Sequence, residues 1–154
     1  MKLILLITLI LLGCNLSAEN IDNLITVGAA EFAIPEGWHH DKEMNAGRLV
    51  VNVYHPDSQG VLKLSSMKLP SPTTVERLRN LTNVDLSLDL EWQTWGDYSG
   101  YQYDYSEKGK SFRQWWLMNE EEILFLVYKI DDGAGADADN VVINGIVASI
   151  NLVD

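Results

Sequence analysis

Cysteine is almost absent from this sequence, because Cys14 is the only one in 154 residues. The fold therefore cannot depend on disulfides within the chain and must be stabilised by a hydrophobic core. Long apolar runs are absent as well. The longest, residues 3–12, reaches about half of the roughly 20 residues that a helix needs to span a bilayer. A run of this length is typical of the hydrophobic part of a signal peptide.

Basic residues are scarce, since 11 Lys and Arg stand against 22 Asp and Glu, which gives a formal net charge of −11. Such a surface repels phosphate backbones and anionic lipid headgroups. We therefore expect no nucleic-acid partner, and any membrane attachment must come from a covalent lipid. The acidic excess predicts either simple solubility or an electrostatic match to a basic partner.

The first residues resemble a bacterial lipoprotein signal peptide. Lys2 supplies the positive charge, residues 3–12 supply the apolar part, and Leu11-Leu12-Gly13-Cys14 is similar to the lipobox Leu-x-Gly/Ala-Cys. The resemblance implies cleavage after Gly13 and modification of Cys14 by acyl chains such as palmitate. Each buried methylene contributes about 0.8 kcal/mol, so several chains would hold a domain firmly on a membrane.

Asn15 follows the cysteine that the resemblance marks for lipidation. In lipoproteins of enteric-type bacteria an Asp at this position favours retention in the inner membrane. Asn15 therefore implies a lipid anchor on the periplasmic face of the outer membrane. The alternative is an ordinary signal-peptidase site after Leu16-Ser17-Ala18, which would release a free protein.

The rest of the chain is predicted to be one domain. Residues 1–13 are assigned to the signal peptide, residues 14–28 to the lipidated cysteine and a tether, and residues 29–154 to a single α+β domain. A chain of this length buries enough apolar surface to fold without disulfides or a structural metal.

Aromatic residues are concentrated between Trp92 and Ile130, a stretch that holds eleven of the fourteen. Tyr101, Tyr103 and Tyr105 alternate with polar residues, as a strand requires. Residues 123–130 are apolar at both alternating positions, so this strand must be covered on both faces. The predicted strands are residues 31–34, 48–54, 61–67, 91–95, 100–106, 111–118 and 123–130, whereas residues 41–47 are predicted to be a loop.

Two helices are predicted. The internal one begins either at Ser71-Pro72 or at Thr73, which forms a capping box with Glu76. The C-terminal one is capped by Asp137 or Asp139. Its apolar stripe, which would lie on the sheet, consists of Val142, Ile143, Ile146, Val147 and Ile150.

The segment Phe32-Ala33-Ile34-Pro35-Glu36-Gly37-Trp38 resembles the F-x-x-P-x-x-W opening of PsbP-like domains, a superfamily that includes bacterial lipoproteins of the DcrB and LpqN types. Leu124-Phe125-Leu126-Val127-Tyr128 and Ile146-Val147-Ala148-Ser149-Ile150 are similar to its last strand and its C-terminal helix. The resemblance covers Glu31 to Leu152. It implies an antiparallel sheet of about six to seven strands sandwiched by an internal helix and a C-terminal helix. It brings no shared catalytic set, because the superfamily consists mostly of accessory and binding proteins.

Few residues have the spacing of a catalytic or metal site. Gly109-Lys110-Ser111 lacks the earlier glycine of a phosphate-binding loop and belongs to a hairpin turn. His39 and His40 would point to opposite faces of a strand, so a zinc site with His55 is not predicted. No cofactor is predicted.

Two acidic stretches need an interpretation. Asp131–Asp139 offers oxygen ligands for calcium but lacks the EF-hand order, so a solvated loop and a helix cap are the alternative. Glu120-Glu121-Glu122 is predicted to be a solvent-facing hairpin turn.

The aromatic residues supply the candidate partner surface. Trp115 and Trp116 are neighbours in a strand, so one enters the core and the other lies on the opposite face. Core packing would explain most of the aromatic residues, and an exposed patch is the alternative. The candidate partner-binding residues are Trp92, Trp95, Trp115, Trp116, Tyr101 and Tyr103.

Three functions are compatible with these patterns. The first is a non-catalytic, membrane-anchored binding or accessory module of the bacterial envelope. The second is a periplasmic immunity protein that neutralises a secreted toxin, which the acidic and aromatic composition would suit. The third is a cell-wall hydrolase, which would require a pocket that joins His39 or His55 to a carboxylate.

Overall fold

The computed structural model describes residues 23–82, 88–131 and 136–153. These residues form two antiparallel sheets and two helices. The elements in chain order are β1 (Leu24–Val27), β2 (Ala30–Ala33), β3 (His39–Asn45), β4 (Arg48–Tyr54), β5 (Val61–Lys68), α1 (Val75–Thr82), β6 (Gln93–Trp95), β7 (Tyr98–Glu107), β8 (Lys110–Met118), β9 (Glu122–Asp131), α2 (Ala136–Ala148) and β10 (Asn151–Leu152).

The larger sheet has seven strands in the order β3-β4-β5-β9-β8-β7-β6, and the smaller has the order β1-β2-β10. The centre of the larger sheet is the antiparallel pair β5 and β9, in which Leu64 lies opposite Leu126. The hairpin between β7 and β8 turns through Lys108 and Gly109, both with positive φ. Two such residues form the tight turn that matches the twist of the flanking strands.

The two helices cover opposite faces of the larger sheet. On one face Leu124, Leu126 and Tyr128 of β9 belong to the main core together with Ile143 and Ile146 of α2. The smaller sheet packs into this same core through Phe32 and Val27, which are buried. The predicted α+β sandwich, with a sheet of about seven strands, is confirmed.

The other face of the larger sheet carries a second, smaller core. Leu78 of α1 packs there against Tyr101 and Ile123, with Trp92 and Trp116 partly buried around them. Because α1 has only eight residues, it covers part of this face. The prediction that residues 123–130 must be covered on both faces is therefore confirmed over the part beneath α1.

The segment predicted as a loop between residues 41 and 47 is mostly a strand, which corrects that expectation. β3 pairs with β4 along its whole length, from His39 opposite Tyr54 to Asn45 opposite Arg48. All of its side chains are exposed, so it has no apolar alternation from which it could be predicted. Backbone hydrogen bonds hold it, together with side-chain contacts such as the Lys63–Glu43 ion pair at 3.0 Å. Its charged side chains discourage pairing with another chain.

The domain boundary predicted at residue 28 is too late. β1 pairs with β2, with Ile25 opposite Phe32 and Val27 opposite Ala30. Ile25 and Val27 are buried in the main core, so residues 24–27 belong to the folded domain. Residues 1–22, which include Cys14, lie outside the described residues.

Two predictions about helix caps are also wrong. α1 begins at Val75, and the backbone N–H of Arg77 donates to Thr74 Oγ1 at 3.2 Å. The cap is therefore Thr74, one residue after Thr73 and three after Ser71. Both predicted starts lie in a run rich in Ser, Thr and Pro. In such a run the first residue of the helix depends on packing and is not specified by sequence alone.

Of the two predicted caps of α2, Asp139 is wrong, because the helix begins three residues before it. The side chain of Asp137, the other predicted cap, lies outside the described residues. Asp139 Oδ2 instead accepts hydrogen bonds from Tyr128 at 2.8 Å and from Ser58. Farther along α2, Asn144 accepts from Arg113, whose guanidinium also binds Asp104 through two hydrogen bonds of 2.8 Å. Polar contacts at both points therefore hold α2 on the sheet.

The position of the α1 cap can be tested by comparing two adjacent threonines. We expect Thr74→Ala to lower the free energy of unfolding by about 1 kcal/mol, because it removes the acceptor for the Arg77 N–H. Thr73→Ala should change it by less than about half of this. Urea unfolding followed by tryptophan fluorescence would measure both. A larger loss in Thr73→Ala would restore the original capping-box prediction.

Candidate binding cleft between the two sheets

An open cleft of about 710 Å³ lies where α1 and the smaller sheet meet the β6–β7 and β8–β9 turns. Its lining mixes apolar and polar residues, and the apolar ones include Val75, Trp92, Met118 and Leu152. Three carboxylates, those of Asp97, Glu120 and Glu121, also line it, and none of its described lining residues is Lys, Arg or His. The cleft thus combines apolar surface with negative charge.

The C-terminal strand forms one side of the cleft. The N–H of Leu152 donates to Asp97 Oδ2 at 3.0 Å, and the N–H of Val153 donates to the carbonyl of Ala29 at 2.8 Å. Gly96 has a φ of +53°, and a Cβ there would overlap the carbonyl oxygen of Ile150. A glycine at the β6–β7 turn therefore lets the C-terminal strand approach closely.

The acidic rim is held by the turn between β8 and β9. Asn119 Oδ1 accepts the backbone N–H groups of Glu121 at 2.8 Å and Glu122 at 2.9 Å. The N–H of Leu69 donates to the carbonyl of Glu121 at 2.7 Å, which ties the turn to the segment before α1. These bonds fix the backbone while the Glu120 and Glu121 side chains remain exposed.

Glu122 is buried, which corrects the prediction that all three glutamates face solvent. Its side chain is 4% exposed and accepts hydrogen bonds from the Tyr98 hydroxyl at 2.6 Å and from the Ala29 N–H at 3.0 and 3.2 Å. It therefore joins the loop between β1 and β2 to the larger sheet. The sequence alternation could have indicated this burial, because side chains two residues apart in a strand share a face. Glu122 therefore lies on the same face of β9 as the buried Leu124 and Leu126.

Gly28 is required beside this carboxylate. Its φ is +64°, and a Cβ at this position would overlap Glu122 Oε2 and Ser66 Oγ. Gly47 has a similar φ of +79°, yet a Cβ there would meet nothing within 4 Å. The two glycines share the backbone conformation and differ in the space around them.

This pair gives a matched test of the buried junction. We expect Gly47→Ala to cost about 1 kcal/mol from the backbone conformation alone, and Gly28→Ala to cost about 3 kcal/mol because it also displaces Glu122. Urea unfolding of both variants would measure the difference. Equal losses would show that Glu122 does not hold the loop closely.

The six aromatic residues predicted as a partner surface do not lie on one surface. Trp115 is 0% exposed and Tyr101 is 1% exposed, so both are core residues. Trp95 packs against the main core on the α2 side, whereas Trp116 is partly exposed on the α1 side.

Trp92 and Tyr103 are likewise partly exposed on the α1 side, and of the six residues Trp92 alone lines the cleft. Sequence reasoning missed Asp97, Ser99 and Leu152 as its neighbours, because the β6–β7 hairpin and the C-terminal strand β10 are brought together only by the tertiary fold.

Beyond α1 the aromatic rings form a ladder. Tyr101 and Tyr103 have ring centroids 6.4 Å apart, Tyr103 and Tyr105 are 5.8 Å apart, and Tyr105 stacks on Phe112 at 4.8 Å. The Tyr103 hydroxyl donates to Gln114, which in turn donates to Tyr105 at 2.8 Å. The rings thus pack against one another. The Tyr103 and Tyr105 hydroxyls are engaged within the sheet, whereas the Tyr101 hydroxyl forms a hydrogen bond with Thr82 of α1.

Burial raises the pKa of several tyrosine hydroxyls, and at Tyr98 the hydrogen bond to Glu122 raises it further. The hydroxyls whose pKa is raised are those of Tyr98, Tyr101, Tyr103, Tyr105 and Tyr128. Their neutral forms are favoured in the folded state. The stability that these neutral hydroxyls contribute is complete below the pKa of about 10 that tyrosine has in the unfolded chain. It is lost as the pH rises through the higher pKa values of the folded state.

We therefore expect the free energy of unfolding to fall as the pH rises above about 10. Tyr98→Phe should be less stable near neutral pH by about 1 kcal/mol but should lose less stability between neutral and alkaline pH. Urea unfolding across this range would test it. Parallel pH curves for the two proteins would contradict the assignment to Tyr98.

The three histidines lie at the beginning of β3 and directly after β4. His39 and His40 lie exposed on β3, and His55 packs beside Trp38 with a centroid distance of 5.8 Å. Within residues 23–82, 88–131 and 136–153, no group of three or more His, Cys, Asp or Glu is placed to hold a metal ion.

The calcium hypothesis concerned the stretch from Asp131 to Asp139. Asp131 forms an ion pair with Lys110, which holds the pKa of its carboxyl below the usual value. Asp139 is engaged by Ser58 and Tyr128, and residues 132–135 lie outside the described residues.

Among the described helices, none is long and apolar enough to cross a membrane.

No family model and no curated protein matches this sequence. Solved structures do match the fold. LpqN of Mycobacterium tuberculosis, described as involved in cell envelope biogenesis, aligns with a TM-score of 0.58 at 16% identity, covering 81% of this chain and 83% of that one. The cyanobacterial PsbP, CyanoP, of Synechocystis sp. aligns with a TM-score of 0.59 at 12% identity. The alignment covers 88% of this chain and 96% of that one. The chain has a PsbP-like fold.

A Bacteroides thetaiotaomicron protein also aligns with this chain, with a TM-score of 0.55 at 12% identity over 82% of this chain. This chain spans 46% of the length of that protein. The residues that carry the sequence resemblance have packing roles here: Phe32 and Ile146 are buried in the main core, and Trp38 packs against it. The resemblance is therefore one of architecture.

Proposed function

We propose that this protein is a non-catalytic, lipid-anchored module of the bacterial cell envelope that binds a protein partner in the cleft. The observation that carries the proposal is the cleft itself, in which an apolar wall meets three carboxylates. Apolar surface beside oriented charge is typical of a recognition site. The lipobox-like Leu11-Leu12-Gly13-Cys14 and the fold shared with an envelope biogenesis protein support the location.

The anchor would keep the cleft near the membrane. β1 begins at Leu24, ten residues after Cys14, and ten residues span at most about 35 Å when fully extended. The proposed partner is therefore itself in the membrane or close to its surface.

Lipid anchoring is tested by substituting the cysteine. In cells that process lipoproteins, we expect the wild-type protein to incorporate labelled palmitate and to sediment with membranes. Cys14→Ser should lose the label and move to the soluble fraction, because it lacks the thiol that carries the acyl chain.

Ser17→Ala is the matched control and should remain in the membrane fraction with its label. An unlabelled wild-type protein whose N-terminus begins at Glu19 would establish the soluble alternative and overturn the proposed anchor.

The acidic rim favours a second candidate, a periplasmic immunity protein. Glu120 and Glu121 lie exposed at the cleft on a chain with a net charge of −11, so a basic toxin would be complementary to it. Co-expression with the product of a neighbouring toxin-like gene would distinguish the two. Restored growth favours the immunity function, and capture of an envelope protein without protection favours the accessory module.

A further inference from the structure

We propose that the cleft recognises a basic, amphipathic segment of its partner, with Lys or Arg at the rim and apolar side chains against the wall. This inference rests on the proposed function and specifies the chemistry of the partner. Two features of the cleft support it: carboxylates that form no ion pair with the described residues, and exposed apolar side chains beside them.

No residue in the described parts of the chain neutralises the charge at the rim. The carboxylates of Glu120 and Glu121 form no ion pair with any described residue, and the third, Asp97, is engaged only by the backbone N–H of Leu152. Two adjacent free carboxylates on a fixed turn attract a cation and disfavour an acidic ligand. This charge selects for Lys or Arg.

The wall beneath the rim selects for apolar groups. Val75 is 38% exposed at the start of α1, and Trp92 and Met118 line the same surface. The stem of a Lys or Arg side chain can cover such a wall, and its cationic head can interact with the Trp92 ring. A neighbouring apolar side chain of the partner would cover the rest.

The cleft favours a polypeptide segment over a small polyamine. An ammonium-bearing chain without side chains would neutralise the rim but leave the apolar wall exposed to water. A segment with alternating basic and apolar residues satisfies both at once. Substituting an apolar residue of the wall should therefore weaken the binding of a polypeptide segment but not that of a polyamine.

The test uses the full-length acylated protein in a non-ionic detergent and an immobilised Lys-Leu-Lys-Leu-Lys peptide in biolayer interferometry. We expect this peptide to bind at least about tenfold more tightly than Glu-Leu-Glu-Leu-Glu or Lys-Ser-Lys-Ser-Lys. Binding should weaken as salt increases, because the rim charges are exposed.

Two pairs of variants separate the cleft from general charge. Glu120→Gln with Glu121→Gln should weaken binding by about tenfold, whereas Glu36→Gln with Asp57→Asn removes the same charge outside the cleft and should change it by less than about twofold. Val75→Ser should weaken binding by about threefold. Its control, Leu81→Ser, lies on the same helix outside the cleft at 49% exposure and should have little effect.

Three outcomes would overturn the inference. Equal weakening by both charge pairs would mean that the peptide responds only to net charge. Spermidine that competes fully, with no effect of Val75→Ser, would indicate a small-cation site. Lack of binding to the basic peptide would reject this partner chemistry alone, whereas failure of the proposed anchor would appear separately in the Cys14→Ser fractionation.

Discussion

The central constraint in this molecule is a strand that has apolar side chains on both faces. β9 directs Leu124, Leu126 and Tyr128 to one side and Ile123 to the other, so neither face can be left to solvent without a large loss of hydrophobic stabilisation. The elements packed against it meet that requirement. α2 and the smaller sheet cover one face, and the short α1 covers part of the other.

The binding cleft follows from the way this requirement is met. α1 and the smaller sheet lie on opposite faces, and they approach each other only around the edge where the β6–β7 and β8–β9 turns emerge. Glu122 joins the loop at Ala29 to the larger sheet at the start of β9. The cleft is therefore a gap between covering layers, and its walls are stabilised by the same contacts that complete the core.

The sequence predicted the parts of this fold that periodicity encodes. In the central strands and in α2, apolar residues recur at the spacing of a strand or a helix with a buried face. The presence of each element, and whether it is a strand or a helix, could therefore be inferred. β3 could not, because all of its side chains are exposed and it has no apolar alternation. The buried Glu122 was missed because charged turns are usually solvated, although its parity with Leu124 placed it on the core side. The cleft was not predictable, since Asp97, Glu120 and Leu152 are far apart in the chain.

The hydrogen bond between the Val153 N–H and the Ala29 carbonyl has a practical consequence for how the protein is handled. Val153 lines the cleft, so anything joined beyond it must depart from the cleft itself. An affinity tag or reporter placed there would obstruct the cleft in any test of the proposed binding. The hairpin turn at Gly47, which has open space around it and lies outside the cleft lining, is the better site for a label.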